Sequence, residues 1–210
     1  MSMDDEHRTA DRSQIATLMT EFMYRDLGEW DSLREIFHPD AMVHIMWFNG
    51  SGHQFVDTLA RGGASAVSSK HVIANPLIHF RGARAVTETN AIIVAENAAL
   101  GCVCTSHIRF LDRVEERDGR WRLLERRSVY DVSFLDVAPN DFDPASLRHH
   151  PHEYAALARL LTLSGLSIEG TYPTRGSEAE RKIRADNDSW LKESIARPEN
   201  EAGRLPHQNG

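Results

Sequence analysis

The stretch 110–131, FLDRVEERDGRWRLLERRSVYD, restricts the fold more than any other part of the chain. Two long extended segments flank Asp118-Gly119, a dipeptide suited to the positive φ angles of a two-residue hairpin turn. Strands are predicted at roughly 71–80, 84–95, 99–115 and 120–135, with Arg81-Gly82 and the RDGR stretch (117–120) as turns. Helical spacing comes earlier. Ile15, Leu18, Met19 and Phe22 repeat every three or four residues between Asp11 and Asp26, with Asp11 and Gln14 as a capping box. Gly28 ends this helix. A shorter one carries Trp30, Leu33, Ile36 and Phe37 and is stopped by the HPD stretch (38–40). The run AMVHIMWFN (41–49) reads as a strand, and HQFVDTLARGG (53–63) as a helix stopped by glycines. Helices followed by an antiparallel meander make this an α+β chain rather than an alternating one.

With 210 residues, 41% of them hydrophobic, the chain can form one domain with a full core. Its 24 basic against 31 acidic side chains argue against nucleic acid as a partner, because that binding draws on Lys and Arg neutralising phosphates. The polar start MSMDDEHRTA lacks the apolar segment of a signal peptide, and no apolar run is long enough to span a bilayer. Cys102 and Cys104 fall side by side on one face, poor geometry for a disulfide, and two thiols fall short of a zinc site. A reduced, cytoplasmic setting is the expectation. Residues 1–10 read as a flexible lead, 11–136 as the α+β domain, 137–195 as a helical extension and 196–210 as a disordered tail. The extension has Tyr154, Leu157, Leu160 and Leu161 on one helical face. A second helix with a thin stripe (Ile183, Trp190, Leu191, Ile195) is capped by Ser177 and Glu180. That helix suits a place on the domain or on a neighbouring subunit. The three histidines of RHHPHEY (148–154) lack a usual metal-ligand spacing, and no metal is expected.

The segments RDLGEWDSLREIFHPDA (25–41), KHVIANPLI (70–78) and the hairpin 110–131 together resemble the SnoaL-like branch of the nuclear transport factor 2-like superfamily, nearest its scytalone dehydratase and dehydrochlorinase members. The resemblance covers about residues 12–195. It implies a cone-shaped barrel in which helices pack over a curved antiparallel sheet around an apolar cavity. It also implies an Asp–His pair in that cavity. The Asp ends the first helix, here Asp26 before LGEWD, and the His opens the strand after the third helix, here His71. The His-to-Asn spacing of the dehydrochlorinase adds Asn75, although on the residues alone its amide suits a bulge forced by Pro76. Scytalone dehydratase has a tyrosine just before the Asp and another in the first strand. Here those places hold Arg25 and no tyrosine, with Tyr24 one position off.

A neutral imidazole facing an apolar cavity can take a proton from carbon or water, and a carboxylate on its other nitrogen fixes the tautomer. The pair therefore fits elimination of water or halide from a small cyclic organic substrate, with His71 as general base and Asp26 orienting it, and no cofactor. An isomerase or cyclase acting on a polyketide-like or steroid-like ligand is the alternative, with Glu88 the nearest other acid. A non-catalytic small-molecule-binding module is a third. Met19, Phe22, Val43, Ile45, Trp47, Ile73 and Leu77 are the predicted lining. On the strand 99–115, Thr105 and His107 share a face that the resemblance turns toward the cavity. Tyr130 reaches the pocket mouth or packs in the sheet. His44, on a face with Met42, Met46 and Phe48, is placed in the cavity wall. The charged stretches 116–120 and 125–127 read as solvated or cross-strand pairs. A homodimer or homotrimer is expected, because exposed sheet edges need cover.

Overall fold

The computed structural model describes residues 3–62, 66–140 and 142–193, with side chains from residue 8 onward. Three helices come first: α1 (Met3–Glu21), α2 (Tyr24–Leu27) and α3 (Trp30–Glu35). A hairpin follows, β1 (Phe37–Ile45) and β2 (Phe48–Ser51), and then α4 (Gly52–Ala60). The remaining strands are β3 (Ser68–Ile73), β4 (Leu77–Arg81), β5 (Arg84–Asn97), β6 (Cys102–Arg117) and β7 (Arg120–Val137). Two helices close the described chain, α5 (Ala155–Leu163) and α6 (Glu178–Lys192). The seven strands form one curved, unclosed sheet in the order β2-β1-β7-β6-β5-β3, with β4 also on β5. All pairings are antiparallel except β1 with β7. This is the expected α+β cone.

Asp118 (φ 53°) and Gly119 (φ 74°) make the turn that pairs Arg117 with Arg120 and fixes the register of the long hairpin. Inward positions on β6 alternate as the period of two demands: Cys102, Cys104, Ser106, Ile108 and Phe110 are buried. α1 lays Ile15, Leu18 and Met19 on this concave face, with Phe22 in the turn just past its end. α5 packs across β5, β6 and β7 of its own domain, and α6 lies on the opposite, convex face, where Ile183 clusters with Leu111 and Val129. The described part of the extension thus covers its own domain. Ser177 Oγ accepts from the Glu180 amide as expected, but Glu180 Oε2 accepts from Gly176 rather than closing the box on Ser177. Ile195 and the tail 196–210 lie outside the described residues.

Several boundaries differ from the expectation, each for a local reason. α1 begins at Met3, so the lead is not a loose segment over its described part, and Asp11 sits inside the helix. Its carboxylate accepts from Trp121 Nε1 at 3.0 Å instead of capping. HPD does not end a helix but enters β1. Pro39 is accommodated because the β1–β7 register slips between Phe37 and Met42, so no ladder bond needs its missing N–H. The run 41–49 folds back at Met46-Trp47 into a hairpin. The strand expected at 71–80 is two, broken at Ala74-Asn75-Pro76.

Candidate active site

That break decides which residues reach the cavity. Ile73 pairs with Ala91 and Leu77 with Glu88, so residues 74, 75 and 76 oppose only 90 and 89, a one-residue bulge. An extra residue inverts the alternation beyond it. His71, opposite Ile93, faces inward, whereas Leu77, opposite Glu88, turns outward and is 66% exposed. Leu77 is therefore not cavity lining. Asn75 sits exposed in the bulge, away from the cavity wall.

Register places the other expected site residues. Ala91 and Ile93 face inward and oppose Ile108 and Ser106, so His107, opposite Ile92, is on the convex face, where its ring lies 6.0 Å from Phe134. The face that His107 shares with Thr105 does not line the cavity. His44 is also on the far side of its strand from buried Val43, bonded to Asn49 and Glu125. Met42, on the same face, is exposed. Glu88, the acid considered for isomerase chemistry, also faces outward and pairs with Arg109 and Arg184. Tyr24 is half-buried against the core but forms no part of the cavity wall.

Phe22, Ile45, Trp47 and Tyr130 do line the cavity, together with Phe55, Phe110, Leu157 and Leu161. Its volume, counted as room for the centre of a water molecule, is about 60 Å³. Met19 and Val43 are buried in the core beneath this wall, and Ile73 packs against that core without lining it. Tyr130 faces inward because a register shift between His107 and Ile108 sets it opposite Ile108. Its hydroxyl accepts from the Met46 amide at 2.9 Å, and burial pushes its pKa up, so it is a neutral fixture.

At the polar end, α2 is stopped by Gly28 in the left-handed region (φ 72°), and the turn holds Asp26 against the start of β3. Asp26 Oδ1 accepts from His71 Nδ1 at 2.8 Å, and Oδ2 accepts from the His71 amide at 2.6 Å. The two side chains are 1% and 5% exposed. Both ring contacts are at Nδ1, which leaves Nε2 without a hydrogen-bond partner among the described residues. The Phe22 ring stands edge-on to the imidazole, centroids 5.7 Å apart. Burial pushes the His71 pKa down, Arg25 and Arg126 push the same way, and the Asp26 bond only partly offsets them. The ring is therefore neutral at pH 7. Burial pushes Asp26 up, but the His71 bonds and Arg25 outweigh it and hold the carboxyl below its usual range.

Two arginines complete the site, and the sequence reading gave neither a part in it. Arg25 Nη1 donates to Ser69 Oγ (2.7 Å) and Asp26 Oδ1 (3.2 Å) and lies 3.2 Å from His71 Nδ1. With Nδ1–H donated to the carboxylate, that last contact is proximity of charge rather than a second bond. Arg126, read as part of a charged strand face, is 1% exposed. It grips fully buried Asp112 through Nε and Nη2 and is flanked by the Phe22 and Phe110 rings at 4.3 and 4.1 Å. Its Nη1 is buried with no partner among the described residues. A bulge between Val114 and Arg113 gives Leu124 no partner and shifts the inward set from Leu123 to Arg126, Ser128 and Tyr130. The alternation of Arg126, Ser128 and Tyr130 was the available signal.

The SnoaL-like domain profile matches residues 7–127. An uncharacterised protein of Aspergillus terreus is 32% identical over 160 residues, covering 65% of this chain and 59% of its own length. The chain spans about three fifths of the two curated fungal relatives it matches, 59% of one and 62% of the other. A hexachlorocyclohexane dehydrochlorinase superposes with TM-score 0.59 at 16% identity, covering 67% of this chain and 98% of that one. A scytalone dehydratase-like protein from Novosphingobium aromaticivorans gives 0.56 at 17%, covering 66% and 99%. At such identities these structures share the fold. With the profile covering more than half of its residues and the cone in place, the chain belongs to the SnoaL-like domain family.

Proposed function

We propose that this protein is a cofactor-independent lyase, of the dehydratase or dehydrohalogenase type, acting on a small cyclic organic substrate. The observation that carries the reading is the Asp26–His71 contact beneath an apolar cavity, with Nε2 unbonded. In a syn elimination, Nε2 takes a proton from a substrate carbon and the C–H electron pair becomes the new π bond. Halide or hydroxide departs with its own bonding pair. Asp26 holds the tautomer and stabilises the imidazolium. The imidazolium then returns its proton to hydroxide, giving water, or to solvent when halide leaves. Phe22, Trp47, Phe55 and Phe110 suit the faces of a ring substrate.

The test is turnover by wild type and His71→Ala of cyclic alcohols and halides, followed by mass. Loss of water or hydrogen halide by wild type alone supports the reading. Unchanged turnover in His71→Ala sinks it, and product of unchanged mass would point to an isomerase.

The protein also assembles, in our reading, as a homodimer or homotrimer through the convex face. Val72, Ile92, His107 and Val132 form one cross-strand row there, and Val94, Thr105 and Phe134 the next. Val72, Val94, Val132 and Phe134 are exposed beside the part that α6 covers. Sedimentation equilibrium decides it: a single monomeric species would remove the proposal.

A further inference from the structure

Three arginines in this fold can be compared by which edge of the guanidinium they use. Arg126 holds Asp112 through Nε and Nη2, the two N–H groups that point the same way and match a carboxylate. Arg109 holds Asp131 through the same edge on the convex face. Arg25 is the exception. Its three contacts, to Asp26, Ser69 and His71, are all at Nη1. Nε and Nη2 have no partner among the described residues, nor are they among the enclosed, unsatisfied atoms. The side chain is nevertheless only 13% exposed and lies in the cavity wall beside His71, while it also borders a more open groove with Asp26, Trp30 and Leu59. The guanidinium is largely buried, but its carboxylate-matching edge keeps contact with solvent and is open to an acceptor that enters the site.

We infer that Arg25 is a specificity-determining residue that selects substrates bearing an oxyanion, a carboxylate or a phenolate, on an otherwise apolar ring. Nη1 is committed to the dyad, so one side chain both braces Asp26 and receives the ligand. The anionic head sits at the Nε–Nη2 edge, and the ring body lies against Phe22, Trp47 and Phe110. Aliphatic and aromatic walls around an open cation favour an amphipathic acid over a neutral hydrocarbon or a polyol. Burial pushing the Arg25 pKa down, against Asp26, is consistent with a charge that the protein alone does not fully compensate. The inference rests on the proposed site as a ligand cavity but is independent of whether elimination occurs there.

Binding rather than turnover tests it, read by quenching of tryptophan fluorescence or by calorimetry. The probes are 2-naphthoate, its neutral isostere 2-naphthamide, and 4-nitrophenol on either side of its ionisation. Wild type should bind naphthoate about tenfold more tightly than the amide, the equivalent of about one charge-assisted hydrogen bond. Arg25→Met should abolish the difference and Arg25→Lys should keep part of it. A gain for 4-nitrophenol on ionisation, without one for naphthoate, would assign the phenolate. Equal binding of all neutral and charged probes by wild type overturns the inference, as does a preference that survives in folded Arg25→Met. Should Arg25→Met not fold, the wild-type comparison and Arg25→Lys decide alone. A retained naphthoate preference with no elimination product from any cyclic acid would sink the lyase reading and leave this one standing.

Discussion

The two faces of the sheet are built from alternate residues of the same strands, yet they use arginine–carboxylate pairs to opposite ends. On the convex face Arg109 meets Glu88, Asp131 and Glu180, and Arg184 on α6 joins two of these, Glu88 and Glu180. Glu88 and Glu180 hold their protons weakly there, Glu180 down to about 2, because hydrogen bonds from arginine outweigh partial burial. The network docks a helix whose only buried aliphatic residue is Ile183. On the concave face Arg126 and Asp112 are isolated from water, and Arg25 and Asp26 stand at the cavity wall around a neutral histidine. Charge outside works as adhesive, in many weak and shared contacts. Charge inside is sparse and largely desolvated, and one of its two pairs holds the histidine ring. Where a pair sits relative to water, more than its identity, sets its role.

The sharpest way to break this contrast is at the dyad. On a substrate that turns over, His71→Ala should lower kcat/KM by about 10³-fold with the fold intact, since positioned general bases contribute on that scale. Asp26→Asn should fall nearly as far while keeping the side-chain volume. Near-normal kcat in Asp26→Asn would show that the imidazole needs no anionic partner. Next comes the inner ion pair. Asp112→Ala leaves the Arg126 guanidinium buried and unpaired, and should cost about 3–5 kcal/mol in urea unfolding. Replacing both partners, as Asp112→Leu with Arg126→Met, should cost much less, because both desolvation penalties disappear together.

The site was legible where local sequence builds it and hidden where register does. Asp26 and His71 could be matched because each is fixed by neighbours in sequence: Gly28 ends one short helix, and the apolar VI of residues 72–73 continues one strand. His107 and His44 stand on stretches of unbroken alternation, and the error there was the choice of face. Leu77 was misplaced because a period of two transmits facing correctly only until an extra residue intervenes, and bulges occur at 74–76, near Leu124 and near Asp131. Pro76 hinted at the first, and nothing in composition marks the other two. Arg126 was hidden by its company, since in a Glu-Arg-Arg run the buried member differs from its neighbour only in parity. The cone itself was readable, because the Asp118-Gly119 turn and the early helices leave few alternatives. That α5 walls the cavity was readable only as a buried helical face, since its docking spans β5, β6 and β7.

Acid should act on the inner face in two stages. In the folded protein His71 titrates below its ordinary 6.5 and Asp26 below its ordinary 3.8. For both groups the unfolded chain binds more protons within those windows, so stability is full above them and falls as pH drops through them. The acid limb of kcat/KM should likewise lie below about 6.5, the free histidine value, because only neutral Nε2 accepts a proton. In Arg25→Met that limb should move upward, since one of the cations opposing the imidazolium is gone. A limb unmoved by Arg25→Met would mean that burial, with Arg126, sets the histidine without it.

The smallest effect belongs to the outer network, and it tests the contrast from the other side. Arg184 is 43% exposed and bonds Glu88 and Glu180, both of which also hold Arg109. Arg184→Ala should therefore cost at most about 1 kcal/mol in urea unfolding, because water and Arg109 take over its partners. High salt should shrink that difference further, as screening reaches exposed pairs first. Ile183→Ala, which removes the one buried aliphatic contact of α6, should cost more than Arg184→Ala. If instead Arg184→Ala approaches the cost of Asp112→Ala, the outer pairs are as desolvated as the inner ones. α6 would then be an integral layer of the domain rather than a helix held on by charge.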